Sequence, residues 1–240
     1  MRQAIREVSV VVPSRNEALL LPYALNALEA AMDHFAREEP RVRSSLTVVL
    51  DSTTDDSARI LAAHPKVRVS SVSAGRVGAA RNAGVAAAIS RAQTTLPHLW
   101  IASTDADSTV PVDWLVRHYG FATAGSDVLA GTVEPVAADL GGAALARWFA
   151  CHDLREGHPH VHGANLGFRA EVFDTLGGFG DQGLHEDRDF VALAHKTGYA
   201  VSATDSCRVS TSGRLHGRLE GGFAAFLTTL DSGKAPSRVL

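Results

Sequence analysis

The chain has 240 residues, 45% hydrophobic and 20% charged, with a formal net charge of −3. That length and composition suit one sizeable globular core. The small negative charge gives no electrostatic footprint for nucleic acid or for a membrane surface.

Residues 8–12 form a β-branched apolar run, the signature of a strand buried on both faces. The run stops at Pro13-Ser-Arg-Asn-Glu17, which is too short for a signal peptide. No stretch reaches the length of a transmembrane helix, so no integral membrane segment is expected. Residues 18–36 carry apolar side chains at helical spacing. Residues 46–50 make a second buried strand ending at Asp51, and Ser52-Thr-Thr-Asp-Asp-Ser caps a helix running to residue 63. Residues 67–72 form a third strand. The Gly75-Arg-Val-Gly turn opens an Ala-rich helix to about residue 92, and residues 99–104 form a fourth strand. Strands alternating with helices imply parallel βαβ units. The fold class is therefore read as α/β: a single Rossmann-like domain, with a mostly parallel central sheet and helices on both faces.

The second half is less regular. Helices are expected at 113–124, 141–153, 170–176, up to about 197 after the Glu186-Asp187 pair, and at 222–230. Strands are expected at 127–133, 161–168 and 199–203. Cys151 and Cys207 lie far apart without a Cys-x-x-Cys spacing, as in a reduced, cytoplasmic chain.

In such sheets ligands bind beyond the carboxyl ends of the strands. Four polar groups fall there: 14–17, Asp51, 75–82 and the pair Asp105-Ala-Asp107. In extended chain, residues i and i+2 point the same way, so Asp105 and Asp107 can face one target. Two convergent carboxylates suit a hard cation such as Mg²⁺ or Mn²⁺, whose shell is completed by water and phosphate. Asp and Ser are also ordinary turn residues. Asp51 reads equally as a carboxylate offered to a nucleotide base or as an Asx turn, and Glu17 as a nucleotide contact or a first-turn anion. The 75–84 turn can hold phosphate on helix N–H groups, helped by Arg76 and Arg81, or can be a plain helix start. His158, His160 and His162 could supply zinc ligands, a polar rim segment or one pocket histidine. Glu186-Asp187 opens a helix after a glycine-rich turn, and carboxylates there are either ordinary first-turn residues or a general base offered to an acceptor hydroxyl.

Together these pieces resemble family 2 glycosyltransferases of the GT-A fold. The resemblance rests on Val10-Val-Val-Pro-Ser-Arg-Asn-Glu17, Val48-Val-Leu-Asp51, Gly78-Ala-Ala-Arg-Asn-Ala-Gly84, Asp105-Ala-Asp107, Gly163-Ala-Asn-Leu-Gly-Phe-Arg169 and His185-Glu-Asp187. These occur in family order over about residues 8–200. The resemblance implies a soluble, inverting, Mg²⁺- or Mn²⁺-dependent enzyme that moves a sugar from a nucleotide-sugar donor to the hydroxyl of a small-molecule, lipid or glycan acceptor. It implies donor contacts by Pro13, Arg15, Glu17, Asp51, Arg81 and Asp105, metal ligation by Asp107, and base catalysis by Asp187. Gly163, Asn165 and Glu186 fall on the acceptor side. The segment Ser212-Gly-Arg-Leu-His216-Gly-Arg218 resembles one that closes over the diphosphate, with Arg214 and Arg218 as phosphate partners and His216 completing the metal shell. Leu50 stands where many members carry a further acidic residue, and the Gln-x-x-Arg-Trp motif of processive synthases does not follow the Glu-Asp pair. Residues 1–240 are thus expected to be one domain, with a nucleotide-binding half to about 108, an acceptor-binding half to about 230 and a flexible tail. A homodimer is left open. A nucleotidyltransferase, or a non-catalytic nucleotide-sugar-binding protein, are the alternative readings of the same residues.

Overall fold

A computed structural model describes residues 3–181, 183–215, 217 and 222–233. In chain order, β1 (Glu7–Ser14) leads to α1 (Leu21–Glu38), β2 (Arg43–Asp51), α2 (Ser57–Ala62), β3 (Arg68–Val72), α3 (Val77–Arg91) and β4 (Leu99–Ser103). Then follow β5 (Ser108–Thr109), α4 (Trp114–Thr123), β6 (Val128–Pro135), α5 (Gly142–Cys151), β7 (Leu166–Arg169), α6 (Ala170–Leu176), α7 (Glu186–Lys196), β8 (Val201–Thr211) and α8 (Phe223–Asp231). All eight strands share one sheet in the order β3-β2-β1-β4-β7-β6-β8-β5.

The first four strands in that order pair in parallel, with α1, α2 and α3 in the crossovers from β1 to β2, β2 to β3 and β3 to β4. β7 runs antiparallel to both of its neighbours, β6 and β8 are parallel, and β5 closes the edge antiparallel to β8. The sheet is therefore parallel in its first half and mixed in its second. The predicted "mostly parallel" character belongs to the half built on β1 to β4.

Side-chain alternation explains the layers. Val8, Val10 and Val12 of β1 join one core, together with Leu21, Leu25 and Leu28 of α1 and Trp114 of α4. Val11 points the other way, into a second core with Val85 of α3 and Phe190 of α7. Trp100 and Ala102 against Leu99 and Ile101 repeat the split in β4. A strand that serves two cores must be apolar at nearly every position, which is why the run read as buried on both faces. Among the described residues, no helix is long and apolar enough to cross a membrane.

Three elements differ from the sequence reading. The strand expected at 161–168 begins only at Leu166, because residues Gly163–Asn165 form a 3₁₀ turn. Asn165 causes the departure: its amide nitrogen donates to the carbonyls of Thr132 and Cys207, each at 2.8 Å, and its oxygen accepts from Trp114 Nε1 at 2.9 Å. β8 is much longer than 199–203, because its partner β6 carries a register shift between Gly131 and Val133 that scrambles the simple alternation. Finally, β5 is too short for periodicity to reveal it. It is tied down by Ser108 Oγ donating to Thr211 Oγ1 at 2.8 Å.

α3 lies close on the sheet at Gly84. A Cβ there would collide with Val11 Cγ1 and stand 2.8 Å from Val49 Cγ2, both in fully buried strand positions. Gly84→Ala is therefore expected to destabilise the fold by about 1–3 kcal/mol, the usual range for overpacking a filled core. Urea unfolding should show a lower midpoint with an unchanged slope; an unchanged midpoint would show that α3 can shift freely.

Candidate active site

The carboxyl ends of β1, β2 and β4 open onto a cavity of about 320 Å³. Its other walls come from the start of α3, the 3₁₀ turn, the start of α7, and the segment between β8 and α8. Two non-glycine residues in the left-handed region, Asn16 (φ 51°) and Ser52 (φ 52°), turn the chain out of β1 and β2 at this rim.

On the first wall, Asp51 ends β2 and is buried. Its Oδ1 accepts the N–H groups of Ala74 (2.8 Å) and Gly75 (2.9 Å) and the Ser52 hydroxyl (3.0 Å). One carboxylate oxygen thus fixes the loop between β3 and α3, an arrangement neither sequence reading anticipated. Arg15 reaches the same loop, donating to the Gly75 carbonyl at 3.2 Å. Arg76 turns outward instead, to Asp181 at 2.9 Å.

The centre is organised by Arg81, buried at 3% exposure in α3. Its Nη2 meets Asp105 Oδ1 at 2.7 Å, and its Nη1 is in short contact with Glu186 Oε1. The Phe179 ring lies 6.0 Å from its guanidinium carbon. Burial works against the charge, but the carboxylates of Asp105 and Glu186 outweigh it and hold Arg81 firmly protonated. Two glycines make the packing possible. Any Cβ at Gly163 would collide with the guanidinium, and one at Gly78 would stand 3.0 Å from Glu186 Cγ. Asn82, one residue on, exchanges two hydrogen bonds with Phe179 (2.8 and 2.9 Å) and so docks the 177–180 turn against α3.

Asp107 is held by another arginine. Arg214 donates both Nη groups to Glu17, at 2.8 Å each, and its Nη2 also meets Asp107 Oδ2 at 2.9 Å. Burial, then the nearby Asp105 charge, pushes the Asp107 carboxyl up to about 6, against the pull of Arg214. The two aspartates therefore line one cavity but bind different arginines.

Asp187 sits in the first turn of α7, just after His185, whose φ of 68° makes the sharp entry. Its Oδ2 accepts the Gly163 N–H at 2.6 Å and its Oδ1 the Arg188 N–H at 2.8 Å. Two backbone donors thus fix the carboxylate of Asp187 where it lines the cavity.

Pro13, Arg15, Glu17, Asp51, Arg81, Asp105, Asp107, Gly163, Glu186, Asp187 and Arg214 all line the cavity. Asn165 does not: it is fully buried, and both ends of its carboxamide are engaged by the core. Its expected acceptor contact is corrected to a structural role. His216 and Arg218 lie outside the described residues. Sequence reasoning missed the apolar side of the cavity, formed by Val161, Ala164, Leu184 and Phe223, and the pairing role of Asn82. Apolar residues next to a loop carry no local signal of a pocket.

Of the three alternating histidines, His162 lines the cavity. Behind it, Trp148 stacks on His152 (3.3 Å between centroids, 17° between planes), and His152 continues to His160 at 4.9 Å. Burial, then the neighbouring histidines, pushes His162 down to about 3, so it is neutral near pH 7. Among the described residues, no group of three or more His, Cys, Asp or Glu side chains is arranged to hold a metal ion.

The model of the family described as Glycosyl transferase family 2 matches residues 9–177. The chain belongs to this family. No curated protein matches the chain, but solved structures share its fold. TarS 1–349 from S. aureus superimposes with a TM-score of 0.64 at 18% identity, covering 94% of this chain and 70% of that one. The mannosyltransferase PcManGT from Pyrobaculum calidifontis, in complex with GDP-Man and Mn²⁺, gives 0.61 at 21% identity, covering 90% of this chain and 59% of that one. Glucosyl-3-phosphoglycerate synthase from Mycobacterium tuberculosis, in complex with Mn²⁺, UDP and phosphoglyceric acid, gives 0.58 at 15% identity, covering 97% and 80%. The GT-A architecture expected from the motifs is thus the observed fold, and the chain is a glycosyltransferase of family 2.

In this family 2 glycosyltransferase, Arg81→Met would leave Asp105 and Glu186 without their shared cation. Removing one partner of a buried ion pair costs about 3–5 kcal/mol, so the variant is expected to melt well below the parent in thermal denaturation. Arg81→Lys should rescue little, since one ammonium cannot reproduce the guanidinium fork. Parent-like melting of Arg81→Met would show that the two carboxylates do not depend on it.

Proposed function

We propose that the chain catalyses metal-dependent, inverting transfer of a sugar from a nucleoside-diphosphate donor to an acceptor hydroxyl. The observation that carries this reading is the convergence, on one cavity, of the Asp105–Asp107 pair and the backbone-aimed Asp187 carboxylate. Family membership supports the transferase chemistry, and the fold neighbour bound to GDP-Man and Mn²⁺ supports a nucleotide-sugar donor.

The donor would lie along the first wall, its base and ribose near Pro13, Arg15, Glu17 and Asp51, and its diphosphate towards Asp105 and Asp107. The residues present fit a hard divalent cation: Asp107 offers a buried carboxylate oxygen, and the Asp105 charge lies near enough to push its carboxyl up. A Mg²⁺ or Mn²⁺ ion held there, with His216 as a further candidate ligand, would supply Lewis-acid charge to the departing diphosphate. Arg214 is bound to Glu17 and Asp107, and it would turn its guanidinium to phosphate once those carboxylates are otherwise neutralised. Arg218 is a second candidate for that role.

Asp187 takes the proton from the acceptor hydroxyl as its oxygen attacks the anomeric carbon from the face opposite the diphosphate. The new glycosidic bond forms as the bond to the diphosphate oxygen breaks, in one displacement that inverts the configuration. The Gly163 and Arg188 N–H groups hold both carboxylate oxygens in place. Glu186, paired to Arg81, shapes the acceptor side beside it. The free thiols of Cys151 and Cys207 support a reducing, cytoplasmic setting.

Asp187→Asn should retain nucleotide binding but lose transfer by a factor of about 10²–10⁴, the usual contribution of a general base. Near-normal turnover of donor with acceptor would remove Asp187 from that role. Asp107→Ala should lose Mn²⁺-dependent binding of UDP or GDP in calorimetry; an unchanged Mn²⁺ titration would exclude Asp107 as a ligand.

A further inference from the structure

The proposed base divides the cavity into two chemically different sides. Towards the donor, the walls carry Arg15, Arg81, Arg214, Asp51, Asp105 and Asp107. Beyond Asp187, the lining includes Val161, His162, Ala164, Leu184 and Phe223, together with His185 and Arg188. The two sides meet at the base itself, since the amide that holds Asp187 belongs to Gly163, the residue after His162.

The apolar side is a firm surface. The Phe223 ring is held edge-on by Trp148 (5.2 Å, 63°) and stands edge-on to His162 (6.5 Å, 86°). Trp148 is fully buried and is itself backed by His152. The half-buried ring lines the cavity, and packing on two sides lowers the cost of ordering it against a ligand. His162 is neutral near pH 7 because burial and the adjoining histidines oppose its charge.

The charges point the same way. Arg81 is engaged by Asp105 and Glu186, and Arg214 by Glu17 and Asp107. An acceptor reaching Asp187 therefore meets an anionic cluster in which Arg81 and Arg214 are already paired. A phosphorylated or carboxylated acceptor would bring like charge against Asp187 and Glu186 in a partly desolvated site, which is unfavourable. Arg188 also lines the cavity, and its charge adds to the lowering of the His162 pKa; its side chain is exposed, and its backbone N–H is what contacts Asp187.

We infer that the acceptor is an uncharged alcohol that lays an apolar body on the His162–Phe223 wall and so delivers its hydroxyl to Asp187. This rests on the transferase reading for the role of Asp187, but the wall's ligand class stands on the lining alone. The body could be an aromatic ring or an alkyl chain. Both offer the same apolar contact, and the experiment separates them.

Binding of four probes to the full chain, with UDP and Mn²⁺ present, is measured by saturation-transfer NMR: phenyl β-D-glucopyranoside, octyl β-D-glucopyranoside, methyl β-D-glucopyranoside and 3-phosphoglycerate. The expected result is binding of the phenyl or octyl probe, strongest saturation on its apolar protons, and at least tenfold weaker binding of the methyl and phosphorylated probes. The better of the first two identifies a flat or an extended body. Phe223→Ala should weaken the favoured probe about tenfold, while UDP binding, followed separately by calorimetry, stays at the parent value. Methyl glucoside binding as well as the others would overturn the inference, and so would 3-phosphoglycerate binding best with loss in Arg188→Ala. Binding unaffected by Phe223→Ala, or no binding of either apolar probe, would overturn it as well. Loss of UDP binding in the parent chain itself, with phenyl or octyl binding intact, would instead count against the donor reading and leave the wall's ligand class standing.

Discussion

A buried guanidinium with two carboxylates is the constraint that the rest of the site depends on. Arg81 comes from a helix of the parallel half, Asp105 from the turn after the fourth strand, and Glu186 from a helix of the mixed half. Moving an arginine into the interior is costly, and only well-placed partners offset that cost. Each of its neighbours is correspondingly constrained. Gly163 has no room for a side chain, Gly78 admits Glu186, and Asn82 sets the turn that carries Phe179. The same Gly163 then donates its N–H to Asp187. One ion-pair cluster thus joins the acidic rim of the donor side to the proposed base.

A second cluster, Arg214 with Glu17 and Asp107, closes the opposite side. The acidic pair at the end of β4 is divided between the two clusters. Asp105 is committed to a buried partner. Asp107 faces a half-buried arginine near the chain's last helix and holds a raised pKa. The pair's two members thus have different partners although both line one cavity.

Much of this was legible in the sequence, for physical reasons that also mark where legibility ends. Strands buried on both faces must be apolar at consecutive positions, so β1, β2 and β4 announced themselves, and the polar residues that follow them had to lie at the rim. The α/β class and the ends of the strands followed. Pairings across long sequence gaps left no local trace. Arg81 finds Glu186 over 105 residues, and Arg214 finds Glu17 over 197. Asn165 shows the opposite failure. A polar residue inside a recognised motif looked like a ligand contact, yet its carboxamide serves the backbone of β6 and β8 and Trp114. The mixed half was harder because a register shift and a two-residue strand break the alternation from which strands are read.

Binding of a nucleoside diphosphate in this cavity, through a divalent cation on Asp107, can be seen directly in a crystal structure of the full chain grown with UDP or GDP and Mn²⁺, with anomalous data collected for manganese. The expected result is a manganese peak bonded to Asp107, between that carboxylate and the diphosphate, with Arg214 released from Asp107. A nucleotide bound elsewhere, or manganese away from Asp107 with the Arg214–Asp107 pair intact, would contradict it.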